Sequence, residues 1–434
     1  MTRTSATHVQ QPSASAPRAA SPAASALAIN GGPKSVTASG KERWKHTRLR
    51  DGWGIAYYLL RGQATSATGK GRVELFEKRF AQLAGREYGL TMSCGTATLH
   101  TALFAVGVGP GDEVLVPSYT WHASATAILC CGGTPVYCEI DPTTLTIDPA
   151  DAAKRVTRRT KAIMAVSLWG NPADMSAIDS IAKQHNLTVI EDASHAHGAL
   201  FAGKPIGAWG DIGCFSLQGG KAVSAGEGGI AVCDDPRLYD AMLAYAMPVR
   251  VGSAQKAATF DTGLMNIGPK YRPHLFGILL AIESLNRLNQ LNALRRRNWE
   301  LICEELRDSE WVRPTRTLPG AERGGYYEFK LLLTDPARHG GRDRFVAAAK
   351  AEGAPVEPDR LKLLHQYAFM RLGGPQTVDG LREAEKRAPP TPSLPVTEAT
   401  AERILTLPAF TKVSEAYVRQ AARAVRKVAE GLRA

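Results

Sequence analysis

The chain has 434 residues, of which 44% are hydrophobic and 22% are charged, as in an ordinary water-soluble globular protein. Its length suits one large domain and one smaller domain. Although the net charge is +12, the lysines and arginines are spread thinly, which favours attraction of anionic small molecules over nucleic-acid binding. No apolar run approaches the roughly 20 residues that a membrane span requires.

The first residues, 1–26, are rich in serine, alanine and proline and contain no acidic residue. They lack the apolar stretch of a secretory signal. We predict a disordered tail here, with an organellar targeting peptide as the less favoured alternative. The large domain, with an N-terminal arm, is predicted to span 27–272.

Six β-rich runs alternate with amphipathic helical stretches between about residues 90 and 235 of this large domain. The runs are 112–119, 134–141, 160–170, 187–195, 212–218 and 228–233. Helical stretches such as 121–131 and 174–185 lie between them. The pattern predicts an α/β fold in three layers, with a mostly parallel sheet covered by helices on both faces. Ligands of such folds bind at the carboxyl ends of the strands.

The C-terminal part begins with leucines and isoleucines at helical spacing over 273–307, which predicts one long connecting helix. A strand at 326–333 and helices at 342–352 and 414–432 follow, and 386–400 is a proline-rich loop. These elements predict a smaller α+β domain over 308–434.

The seven cysteines include no Cys-x-x-Cys pair. A zinc site or a disulfide framework is therefore not expected, and no metal is predicted. Unpaired cysteines in apolar surroundings indicate a reducing compartment, which we take to be the cytoplasm.

One lysine, Lys221, stands among small residues in "FSLQGGKAVSAGEGG", residues 215–229. It does not belong to a phosphate-binding loop, because Ala222 follows it and Phe215 stands where a glycine is required. "GVGPGD" at 107–112 lacks the spacing of a dinucleotide fingerprint. A loop lysine after a strand can form a Schiff base with a carbonyl group, whereas the plain alternative is a solvated surface lysine.

A pyridoxal phosphate (PLP) site needs such a lysine, an acid beside the ring nitrogen, a flat group over the ring and donors for the phosphate. Asp192 ends the apolar run "VIED" and could be the acid. Thr96 and Ala97 start an amphipathic helix whose N–H groups could hold the phosphate, together with the Ser216 hydroxyl. Trp121 could stack on the ring. An ordinary helix cap and ordinary packing remain alternatives for the helix start and for the tryptophan.

Three segments occur in a characteristic order: "GTATLHTALFAVGVGPGDEVLVPSYTWHASA", "WGNPADMSAIDSIAKQHNLTVIEDASHAHGA" and "GDIGCFSLQGGKAVSAGEGG". Together they resemble the DegT/DnrJ/EryC1/StrS family of PLP enzymes, which have the aspartate-aminotransferase fold (fold type I). The resemblance extends from about residue 27 to the C-terminus. It implies that Lys221 is the Schiff-base lysine and acid/base, and that Asp192 pairs with the ring nitrogen. It further implies that Trp121 stacks on the ring and that the phosphate is held by Thr96, Ala97 and Ser216.

The chain departs from the common family pattern at two positions. His195 stands where many members have a glutamine that bonds the phenolic oxygen of the cofactor, and its imidazole could make the same bond. Lys270 begins a Lys-Tyr-Arg run where the family often has Asn-Tyr-Arg, which the neighbouring subunit supplies to the phosphate. The resemblance therefore implies a homodimer with two shared sites.

The resemblance implies transfer of an amino group from glutamate or glutamine to a keto-sugar or keto-cyclitol. "LAINGGPK" at 27–34 resembles the branch of cyclitol aminotransferases and aminohydroxybenzoate synthases. We therefore expect a step of amino sugar or aminocyclitol biosynthesis toward an antibiotic-like metabolite. A PLP-dependent dehydratase or aromatising synthase is one alternative, although the deoxygenating branch has histidine in place of the lysine. A PLP-binding regulatory protein is the non-enzymatic alternative.

Overall fold

The computed structural model describes residues 26–63, 65, 67–253, 268–372 and 378–433. The predicted tail lies outside the described residues except for its last residue. The helices are α1 Gly52–Leu60, α2 Arg72–Leu83, α3 Gly95–Ala105, α4 Ala123–Cys130, α5 Pro149–Lys154, α6 Met175–His185, α7 Pro236–Ala246, α8 Leu275–Leu285, α9 Leu288–Glu305, α10 Arg342–Ala351, α11 Ala368–Arg371, α12 Val378–Arg382, α13 Ala384–Arg387, α14 Pro395–Ala401 and α15 Glu415–Gly431. The strands are β1 Tyr88–Met92, β2 Glu113–Pro117, β3 Thr134–Cys138, β4 Thr160–Val166, β5 Thr188–Asp192, β6 Leu200–Phe201, β7 Lys204–Pro205, β8 Ile212–Ser216, β9 Gly229–Cys233, β10 Val312–Pro314, β11 Ala321–Glu322, β12 Glu328–Leu333, β13 Glu357–Pro358 and β14 Ile404–Pro408.

A seven-stranded sheet in the order β1-β9-β8-β5-β4-β2-β3 forms the centre of the fold. Strands β3, β2, β4, β5 and β8 pair in parallel, while β9 pairs antiparallel with both of its neighbours. The register places Val166 beside Asp192 and Asp192 beside Cys214, so that three neighbouring strands end at one edge. The α/β fold with a large, mostly parallel sheet is therefore confirmed.

Both faces of this sheet are buried, because side chains of a strand point alternately to opposite faces. In β2, Val114 and Val116 belong to one hydrophobic core, whereas Leu115 belongs to the other. Residues of α3, α4 and α7 fill the first core, and residues of α2, α6 and α8 fill the second. Burial on both faces explains why these strands are continuous apolar runs in the sequence.

A second sheet, the C-terminal sheet, has four strands in the order β10-β12-β14-β13. The predicted C-terminal helix, α15, covers it with an apolar stripe, and Val418, Val425 and Val428 of that stripe are fully buried. Helix α10 packs into the same core. The α+β character of this part of the chain agrees with the prediction, and the predicted domain boundaries stay a prediction.

The predicted single helix over 273–307 is wrong, because the structure divides it into α8 and α9. Between them, Asn286 and Arg287 form a turn in which the Arg287 N–H bonds to the Ser284 carbonyl, three residues earlier. The buried Arg287 guanidinium pairs with Asp51 at 3.0 Å. This ion pair holds Arg287 in the turn between the two helices. The leucine spacing alone would predict that the helix continues through this point.

Two smaller features complete the fold. The predicted proline-rich loop over 386–400 is partly wrong, because α14 begins at Pro395, a residue well suited to the first turn of a helix. All seven cysteines are free. None of the helices in the described ranges combines the length and hydropathy that a bilayer crossing needs.

Candidate active site

A cavity of about 450 Å³ opens at the carboxyl ends of β4, β5 and β8. This is the edge at which parallel sheets bind ligands. The structure brings six of the sequence-predicted residues into its lining: Thr96, Trp121, Asp192, His195, Ser216 and Lys221.

Asp192 is the last residue of β5, and its carboxylate is buried. Oδ2 accepts a hydrogen bond from the Ser124 hydroxyl at 2.7 Å, and Oδ1 accepts one from the Ser194 N–H at 3.2 Å. Ser124 lies in the first turn of α4. A buried carboxylate needs such partners, and both donors leave the acid facing the cavity.

Glu191, the neighbouring acid, has a purely structural position. Its carboxylate accepts hydrogen bonds from the N–H groups of Gly207, Trp209 and Gly210 at 2.7–2.8 Å. Burial raises the pKa of Glu191, and the three N–H donors oppose that rise. Because adjacent strand residues point to opposite faces, only the second acid of the pair reaches the cavity.

The start of α3 lies against the end of β8. A Cβ on Gly95 would come within 2.8 Å of the Ser216 Cβ, so only glycine allows this close approach. The Cys94 sulfur caps the helix by accepting the Ala97 N–H at 3.4 Å. The N–H groups of Gly95 and Thr96 belong to the first turn and have no acceptor within the helix. They lie next to the Ser216 hydroxyl at the cavity wall.

Lys221 lies in the loop between β8 and β9, and its small neighbours have a clear packing role. The four residues after it, 222–225, are all buried. The Ser284 hydroxyl of α8 receives the Ser224 N–H at 3.0 Å and donates to the Ala222 carbonyl at 3.3 Å. A Cβ on Gly277 would meet the Ala225 carbonyl at 2.8 Å. Small residues therefore let the loop fill the space between sheet and helix.

The Lys221 ammonium is itself largely buried, with 9% of the residue exposed. Burial lowers the pKa of Lys221 to about 8, while Asp192 raises it and Arg360 lowers it further. An amine with this pKa can take up and release a proton near neutral pH.

His195 lies in a stack of aromatic rings. Its ring is 5.2 Å from that of Trp169 and 4.3 Å from that of Tyr327, measured between centroids. The backbone N–H of Trp169 donates a hydrogen bond to Nδ1 of His195 at 3.2 Å. Burial holds the pKa of His195 well below its usual value. The neutral ring therefore carries its proton on Nε2, which can act as a hydrogen-bond donor as a glutamine amide would.

Two further residues in the cavity wall were missed by sequence reasoning. Tyr327 directly precedes β12, and Arg360 follows β13. The Arg360 guanidinium pairs with Glu328 at 2.8 Å and is half exposed. Both belong to the C-terminal part of the chain, where the sequence predicted no site residue.

The remaining predicted residues are placed as follows. Trp121 lines the cavity but is 51% exposed, which leaves its ring face accessible. Ala97 lies in the first turn of α3 behind Thr96. Lys270 is exposed and lies outside the described lining of the cavity. The carbonyl of its neighbour Tyr271 accepts the Ser93 N–H at 2.8 Å, next to the α3 start.

Comparisons with known proteins find relatives over most of the chain. The chain is 33% identical over 338 residues to the L-glutamine:2-deoxy-scyllo-inosose aminotransferase of Streptomyces lividus, covering 76% of this chain and 80% of the relative. It is 36% identical over 325 residues to the L-glutamine:scyllo-inosose aminotransferase of Streptomyces griseus, covering 72% and 75%. The crystal structure of 3-amino-5-hydroxybenzoic acid synthase superposes with a TM-score of 0.75 at 27% identity, over 91% of this chain and 99% of that one. Residues 58–426 match the DegT/DnrJ/EryC1/StrS aminotransferase family. The chain belongs to this family and is an aminotransferase.

Proposed function

We propose that this aminotransferase uses PLP to move an amino group from glutamine or glutamate to a keto-cyclitol or keto-sugar, in aminocyclitol or amino sugar biosynthesis. The observation that carries the proposal is the cavity that brings Lys221, Asp192 and His195 together beside the start of α3. The named activities of the inosose aminotransferases, similar over most of this chain, support the acceptor class. We also propose that the enzyme acts in the cytoplasm.

The donor set of the cavity fits the chemistry of PLP. Asp192 offers a buried carboxylate for a protonated ring nitrogen, and the Gly95 and Ser216 contact forms a close-fitting recess of N–H and hydroxyl donors for a phosphate. Lys221 offers an amine for the aldehyde, and the exposed ring face of Trp121 offers a stacking surface. When bound, PLP supplies the carbonyl that takes up the amino group and the ring that withdraws electrons from the reacting carbon.

Three residues of the cavity have separate roles in the proposed reaction. Lys221 accepts a proton from the α-carbon of the donor and returns one to the acceptor. Asp192 would keep the ring nitrogen of the cofactor protonated. Its hydrogen bonds to Ser124 and Ser194 hold the carboxylate in place. His195 would donate a hydrogen bond through Nε2 to the phenolic oxygen of the cofactor. Leu99, Val166 and Leu361 give the cavity apolar wall surface beside these groups.

Arg360 is the residue that we expect to bind the donor carboxylate, because it is the cation of the described lining besides Lys221. Arg360→Gln should raise the KM for the amino donor by about 10- to 100-fold, the loss of one charge-assisted pair. The KM for an uncharged keto-cyclitol acceptor should stay nearly unchanged. Steady-state kinetics with each substrate varied in turn tests this, and Arg313→Gln, an exposed arginine of β10, is the matched control. Equal changes in both KM values would contradict the assignment.

A homodimer is part of the proposal. Helix α1 has large apolar side chains exposed to an unusual degree, with 75% of Trp53 and 89% of Leu60 accessible. Such a patch is typical of a protein interface. In a second copy's site, the exposed Lys270 would add a cation for the phosphate, as the resemblance implies.

The proposed acceptor class is tested by supplying glutamine or glutamate together with a panel of keto-cyclitols and nucleotide-linked keto-sugars. We expect the aminated product of at least one ketone, identified by mass spectrometry, and a matching loss of the donor amino group. Release of a dehydrated or aromatic product would instead support the synthase alternative. That alternative is motivated by the structural similarity to 3-amino-5-hydroxybenzoic acid synthase. No turnover with any ketone would contradict the acceptor class.

A further inference from the structure

Three aromatic rings with roughly parallel planes lie together at one wall of the cavity: Trp169, His195 and Tyr327. The rings of His195 and Tyr327 are nearly parallel, at 9°, with centroids 4.3 Å apart. The Lys221 Nζ lies 3.9 Å from the centroid of the Tyr327 ring. The reactive lysine therefore rests against the face of the Tyr327 ring.

Of the three rings, that of Tyr327 comes from the C-terminal part of the chain, and the backbone around it is held tightly. The Gly324 N–H donates to the Gly170 carbonyl at 3.1 Å. A Cβ on Gly325 would lie 2.3 Å from the His195 carbonyl, so the two segments touch backbone to backbone. Tyr326 adopts φ = 43°, a left-handed conformation that is unfavourable for a bulky residue. Close docking onto the loops after β4 and β5 thus fixes the position of the Tyr327 ring.

Within the part of the chain that the structure describes, the Tyr327 ring is the group in contact with the Lys221 ammonium. Among the described residues, no carboxylate lies within ion-pair distance of Nζ. Asp192 and Glu328 act on it at longer range and favour the charged form, whereas Arg360 disfavours it. His195 faces the same space as a neutral ring. An aromatic face attracts a desolvated ammonium because its quadrupole presents negative charge.

We propose that Tyr327 is a positioning residue for Lys221, and that its ring face holds the free side-chain amine at the cavity wall whenever that amine is not covalently engaged. The inference rests on the proposed function, in which Lys221 is released and recaptured in each half-reaction. Without the ring, the side chain would have no fixed resting position in the cavity. The contact also makes that resting position depend on the docking of the C-terminal part of the chain.

The test measures the titration of Lys221 itself in the cofactor-free, full-length protein, so its result does not depend on turnover. The protein is labelled with a trace of an amine-selective acylating reagent across a range of pH values. The labelled peptide that contains Lys221 is then quantified by mass spectrometry. In the unmodified protein we expect labelling to rise with pH and to level off above an inflection near pH 8.

In Tyr327→Leu we expect the inflection to fall by about one pH unit, because loss of the aromatic face destabilises the ammonium. Tyr327→Phe keeps that face and should titrate as the unmodified protein does. Tyr417→Leu, a tyrosine that packs on Phe410 in the core of the C-terminal sheet, is the matched control and should cause no shift. If Tyr327→Leu does not fold, Tyr327→Met carries the same expectation.

Two results would overturn the proposal. One is an inflection in Tyr327→Leu that is unchanged or moves to higher pH. The other is an equal downward shift in Tyr327→Phe, which would assign the effect to the hydroxyl group. Failure of every amino-transfer assay, with the predicted shift still present, would contradict the proposed substrates and leave the role of the ring supported.

Discussion

Replacing Lys221 with alanine is expected to reduce amino transfer by about 10⁴-fold or more, because the variant loses both the amine that captures the cofactor and the group that moves the proton. The measurement is the rate of product formation with saturating donor and acceptor. The visible absorbance band of the holoenzyme, which should fade when a competent donor is added, is expected to be altered in the variant.

Lys183→Ala is the matched control, because Lys183 is an exposed lysine of α6 that pairs only with the nearby Asp179 among the described residues. It should retain normal activity. Near-normal turnover by the Lys221 variant would show that the proposed reactive amine has been misassigned. A visible band that ignores both glutamine and glutamate in the unmodified enzyme would instead point to another donor or to the dehydrating reaction.

Replacing Lys330 with methionine is expected to lower the free energy of unfolding by about 3–5 kcal/mol, the usual effect of removing one partner from a buried ion pair. The Lys330 side chain is buried in β12, and its Nζ donates to Glu328 and Thr406 at 2.7 Å and to Asp359. The variant leaves the buried Asp359 carboxylate without its cation. Chemical denaturation followed by circular dichroism measures the change.

Two further variants make this prediction specific. Lys350→Met removes an ion pair with Glu357 in which both side chains are about half exposed, and it should change stability by less than about 1 kcal/mol. Lys330→Met combined with Asp359→Leu should recover part of the lost stability, because no buried charge remains unpaired. A Lys330 variant as stable as the Lys350 variant would show that the buried pair contributes nothing.

Much of the large sheet could be predicted from the sequence, since six of its strands are apolar runs bounded by turn residues. The break between α8 and α9 could not, because Arg287 depends on Asp51, a partner 236 residues away. Leucine spacing continues through that point and carries no sign of the ion pair. A local sequence pattern predicts a helix or strand well when the residues of that helix or strand determine where it begins and ends.

The same distinction applies to the site. Asp192, Ser216 and Lys221 lie at or just after strand ends, where parallel sheets bind ligands, and the three family-like segments of the sequence led to the same residues. Tyr327 and Arg360 reach the cavity only because the C-terminal part of the chain docks against the large sheet. That docking depends on backbone contacts between glycines, which no side-chain pattern reveals.

The burial of residues 222–225 has a consequence for the timescale of catalysis. Since this loop fills part of the core between β8 and α8, its backbone cannot shift without opening that core. The amine of Lys221 can therefore travel only by rotation about its own side-chain bonds. Such rotations are intrinsically faster than loop or domain motions, so the swing of the lysine should never limit turnover.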